Sequence, residues 1–66
     1  MYLTRDEAIA KLGGDQESAA RIVDNAPEYP HHSRTNFHLI TRYPPRSVGR
    51  YPDAMNTADM WTVSNW

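Results

Sequence analysis

A small, mainly α protein is the fold class that this chain predicts, and three observations carry it. Two stretches, residues 4–12 and 15–26, each pair a helix-capping residue with an apolar helical face. A run rich in proline, arginine and tyrosine follows, and it suits neither a helix nor an ordinary strand. The chain has 66 residues and no cysteine, which allows one domain at most and no disulfide staple. The expected organisation is therefore a single domain over 1–66, with a helical corner at 4–26 and a wrapping segment and tail at 27–66.

The first helix reads from "LTRDEAIAKLGG". Thr4 is its N-cap, and Glu7 stands three residues on, as a capping box requires. Ala8, Ile9 and Leu12 give one face, and Gly13 is placed to stop the helix with a left-handed cap. The second helix starts at the N-cap Asp15. Ala19, Ile22, Val23 and Ala26 recur at i, i+3, i+4 and i+7, and Pro27 ends the run. Over 36–43, Phe37, Leu39, Thr41 and Tyr43 alternate as a strand would, whereas Phe37, Ile40 and Tyr43 also fit a helical stripe. A strand here needs a partner: a hairpin with 60–65, a dimer mate, or another protein's sheet edge. The bland reading is a buried connecting segment. Asp53 can cap a short C-terminal helix with Ala54, Ala58 and Trp61, or Met55 and Met60, on its stripe.

Two stretches resemble the Fis-like and phage Cro-like helix-turn-helix families. "AIAKLGGDQESAARI" is similar to their first two helices, and "SRTNFHLITRY" to their recognition helix, so the resemblance spans residues 8–43. It implies a DNA-binding regulator in which Ser33, Arg34, Thr35 and Asn36 face the DNA, with Arg42 beside them. The chain departs from the pattern between the second and third helices, where "VDNAPEYPHHS" brings Pro27 and Pro30 into a turn that should be short.

Charge is unevenly spread. Residues 1–29 carry Asp6, Glu7, Asp15, Glu17, Asp24 and Glu28 against Arg5, Lys11 and Arg21. Residues 30–52 carry Arg34, Arg42, Arg46, Arg50 and three histidines with no acid. Within that basic stretch, Arg-Tyr-Pro occurs at 42–44 and again at 50–52. Proline holds each preceding tyrosine extended, and Gly49 allows a bend between the two copies. Tyr and Arg dominate binding hot spots because each offers a flat contact with a polar end. Such a clip has three destinations: the chain's own acidic helices, another protein, or the phosphates and bases of a nucleic acid.

The leading expectation is a non-catalytic binding protein that docks on a larger macromolecule, a protein above all, with self-association as a variant. Its contact residues would be Arg42, Tyr43, Arg46, Arg50, Tyr51, Trp61 and Trp66. Small phage-type accessory or inhibitor proteins are similar in size and makeup. An enzyme is not expected: no phosphate loop is present, and so short a chain offers no scaffold for a buried triad and oxyanion hole. His31, His32 and His38 match no standard zinc spacing, so no metal or cofactor is expected. No apolar run approaches the ~18–20 residues of a membrane helix, and the N-terminus lacks a secretory pattern, so a soluble cytoplasmic protein is the expectation.

Overall fold

The computed structural model describes residues 2–45 and 58–65. Its first helix, α1, spans Arg5–Leu12, and the second, α2, spans Gln16–Asp24. The capping box at α1 is complete: the Glu7 N–H donates to Thr4 Oγ1 at 3.2 Å, and the Thr4 N–H donates to Glu7 Oε1 at 2.8 Å. These bonds satisfy two donors that a helix start otherwise leaves orphaned. Asp15 caps α2 by accepting from the Ser18 N–H at 2.9 Å. Gly13 stops α1 with φ 74° and ψ −171°, a glycine-only extended conformation rather than the left-handed helical cap expected. Helix α2 ends two residues before position 26. Ala26 precedes Pro27 and is pushed out of the helical region, and the Arg21 carbonyl accepts from both the Asn25 backbone N–H at 3.1 Å and its side-chain Nδ2 at 2.9 Å.

Arg5 ties the start of α1 to the end of α2. Its Nε and Nη2 donate to the two Asp24 carboxylate oxygens at 2.8 and 3.0 Å. That hydrogen bond holds the Asp24 carboxyl below its ordinary value of 3.8, and the Ser18 backbone N–H does the same for Asp15. A depressed carboxylate pKa stabilises the fold above the unfolded value and loses that contribution as pH falls through the folded one. Thermal stability is therefore expected to decline on acidification below about pH 4. A melting series across that range should be flatter for Asp24→Asn than for the wild type. Both side chains keep about half of their surface in water, 49% and 51%, so added salt should weaken the Asp24 contribution.

The remainder is a sheet, which corrects the mainly α expectation to a mixed α/β domain. Strands β1 (Ser33–Arg34), β2 (His38–Tyr43) and β3 (Met60–Asn65) lie in the order β1-β2-β3, antiparallel throughout. Residues 36–43 thus take the strand reading for His38–Tyr43, and the mate is 60–65 of the same chain, with Ile40 opposite Val63 and Arg42 opposite Trp61. Among the described residues no helix follows α2, and the expected C-terminal helix is replaced by β3. Thr62 and Val63 are β-branched, and Trp61 and Val63 alternate into the core, a period of two that a helix does not satisfy. The proposed cap Asp53 and the stripe positions Ala54 and Met55 lie outside the described residues.

The segment that resembles a recognition helix, 33–43, is instead a hairpin. Thr35 closes it: its N–H donates to the His38 carbonyl at 2.8 Å, and its Oγ1 accepts from the His38 N–H at 3.0 Å. Asn36 and Phe37 form the tip between these paired residues. Hydroxyl–backbone bonds of this kind compete with helix, and the β-branched and aromatic residues that follow favour strand.

Irregular segments extend both sides of the sheet. Leu3 exchanges two backbone bonds with Trp61, at 2.7 and 2.9 Å. On the other side the Arg42 N–H donates to the Pro27 carbonyl and its carbonyl accepts from Tyr29, in a parallel bridge centred on Glu28. The core joins Ala8 and Ile9 of α1, Ala19 and Val23 of α2, and Ala26 to Ile40, Trp61 and Val63 of the sheet. No helix among the described residues is long and apolar enough to cross a membrane.

Candidate functional site

The residues expected to make contact with a partner divide once folded. Trp61 is only 4% exposed, and its indole Nε1–H donates to the Val23 carbonyl at 2.9 Å, so the ring is a core member. Arg42 turns toward its own chain: Nε donates to the Ala26 carbonyl at 3.2 Å, and Nη1 lies 3.8 Å from Asp59. Tyr43 sits between two other tyrosines. Tyr2 meets it edge-on at 4.9 Å, and Tyr29 stacks on it at 5.1 Å. Arg46, Arg50, Tyr51 and Trp66 lie outside the described residues. Arg42 and Tyr43 therefore make intramolecular contacts, but with Asp59, the Ala26 carbonyl and other rings rather than with the acidic residues of the two helices.

The outer face of the sheet carries a cleft of about 220 Å³ between Tyr29, Pro30 and His32 on one side and Leu39, Thr41 and Tyr43 on the other. The Thr41 hydroxyl donates to the His31 carbonyl and pins this loop to the sheet.

A larger groove runs between α2 and the β1–β2 hairpin. Ser18, Arg21, Ile22 and Asn25 form its helical wall, spaced i, i+3, i+4 and i+7, so they share one helix face. Ser33, Arg34, Thr35 and Asn36 form the opposite wall. This part encloses about 520 Å³, and among the described residues its lining includes two guanidinium groups and no carboxylate. It adjoins a second compartment of about 230 Å³, which shares Ser18, Ile22, Thr35 and Asn36 and adds Leu12, Ala19 and Phe37. Asp15 also borders that compartment, but its carboxylate is engaged with the Ser18 N–H. Phe37 stands at the hairpin tip with 73% of its surface exposed.

Of the residues that the helix-turn-helix resemblance implies, Arg34, Thr35 and Asn36 come together in this groove. Arg42 does not join them, since its side chain is bonded to the Ala26 carbonyl and faces Asp59. Sequence reasoning missed Arg21, Ser18, Asn25 and Phe37. The first three do leave a signal, a polar stripe on the helix face beside the apolar one. Among the described residues no three His, Asp or Glu side chains come together as a metal site. No protein-family model, curated protein or solved structure matches the chain.

Proposed function

We propose that the chain is a non-catalytic small binding protein of the cytoplasm that docks on a larger protein, in the manner of a phage-type accessory or inhibitor protein. The observation that carries this is Phe37, a large ring held 73% exposed on a hairpin tip at the end of a groove with two arginines. The Thr35–His38 bonds fix the turn and hence the backbone that carries the ring, which reduces the order to be gained on docking. An aromatic anchor beside arginines is the usual makeup of an interface hot spot. A tagged wild-type chain should capture a stoichiometric protein from lysate after nuclease treatment, and Phe37→Ala should lose that partner while keeping its circular dichroism. Recovery of nucleic acid alone would refute the reading.

A second reading, a DNA-binding regulator, is favoured by the meeting of Arg34, Thr35 and Asn36 on one hairpin, since a two-stranded ribbon fits a major groove. It expects duplex affinity to fall steeply with salt and to collapse on Arg34→Ala.

A further inference from the structure

We infer that the groove between α2 and the hairpin receives an acidic–hydrophobic segment of the partner protein, carboxylates at one end and a large apolar side chain at the other. This rests on the protein-docking reading above and names the partner's chemistry.

Polarity along the groove sets the assignment. Toward the C-terminal end of α2, Arg21 places its guanidinium in a compartment whose lining among the described residues, Arg34 included, has no carboxylate. Toward the N-terminal end, Leu12, Ala19, Ile22 and Phe37 supply an apolar compartment. From Asp15 to Asn25 the helix offers about 15 Å at ~1.5 Å per residue. An extended chain covers that length with roughly four to five residues at ~3.3 Å each. Guanidinium groups meet carboxylates with paired N–H donors, and the serine, threonine and asparagine side chains of the walls can serve the backbone of an extended segment. A nucleic acid fits less well, because its charge repeats evenly along the strand whereas the groove is cationic in one half and apolar in the other.

The test is fluorescence anisotropy with the labelled peptide Glu-Glu-Asp-Leu-Phe and its reversed sequence. Lys-Lys-Lys-Leu-Phe and a short oligothymidylate serve as comparison probes. One of the two acidic peptides should bind best, with affinity that declines as salt is raised. Arg21→Gln should weaken it about tenfold, the scale of one charged hydrogen bond, and Phe37→Ala should weaken it through the apolar end. Tighter binding of oligothymidylate, equal binding of the lysine peptide, or an unchanged affinity in Arg21→Gln would overturn the inference. If neither acidic peptide binds while a nuclease-resistant partner is captured and lost with Phe37→Ala, the docking reading stands and the acidic assignment falls. If both experiments are negative, both fall.

Discussion

Trp61→Ala is expected to abolish the cooperative fold. The indole is 4% exposed and belongs to the cluster that joins both helices to the sheet. Removing a buried Trp or Phe side chain costs about 3–5 kcal/mol, and a core of this size rarely supplies more than roughly 3–5 kcal/mol in all. Two further losses add to the cavity. The indole N–H donates to the Val23 carbonyl in the last turn of α2 at 2.9 Å, a carbonyl whose Ala26 N–H partner stands at the longer distance of 3.3 Å. The Trp61 backbone also holds Leu3, so a strand end loosened by the cavity releases the N-terminal segment as well. Trp61→Phe separates these effects. It keeps most of the ring and loses the hydrogen bond, and should cost about 1–3 kcal/mol. Urea titration followed by far-UV circular dichroism reads both. A wild-type-like transition midpoint for Trp61→Ala would remove the ring from the core account.

The helical half of the fold was legible because its signals are local. Thr4 with Glu7, and Asp15 with the Ser18 N–H, are capping interactions written within four residues, and the structure contains both. The sheet was not legible in the same way. Trp61 and Val63 mark a strand only because Ile40 lies opposite Val63 and Arg42 opposite Trp61, and those mates sit far up the chain. Read alone, Ala54, Ala58 and Trp61 fit a helical stripe equally well. Strand β1, two residues long, exists through pairing with Leu39 and Ile40 rather than through any propensity of Ser33 and Arg34.

The site was legible in part. Trp61 carries two signals at once, since a large amphipathic ring suits either a contact surface or a core. A short chain with few aliphatic residues needs such rings for its interior, and Trp61 is used there. Arg34, Thr35 and Asn36 were singled out through a helical resemblance, yet what gathers them is a hairpin turn. The missing wall, Ser18, Arg21 and Asn25, is visible as a stripe on α2, but no local pattern reveals that a hairpin will lie against it. In the sequence Phe37 fits both the alternation along 36–43 and a helical stripe with Ile40 and Tyr43. Its exposure follows from its place at the tip, outside the paired strand that begins at His38.

Ile40→Ala is expected to destabilise the protein by about 2–5 kcal/mol, enough to depopulate the native state in so small a domain. Ile40 is fully buried at 0% exposure in the central strand, opposite Ser33 on one side and Val63 on the other. A residue paired on both edges leaves the backbone little freedom to collapse into the cavity, which places the cost toward the upper part of that range. Ile40→Val removes one methylene and keeps the β-branch, so it should cost only about 0.5–1.5 kcal/mol and stay folded. Phe37→Ala, three positions earlier on the same hairpin, deletes a larger side chain but an exposed one, and should shift stability by no more than about 0.5 kcal/mol. Denaturant titration paired with the capture assay therefore sorts the hairpin's two tasks. Ile40→Val should be mildly destabilised with binding intact, and Phe37→Ala should be stable with binding lost. The reverse pattern would mean that the tip supports the fold and that docking occurs on another face.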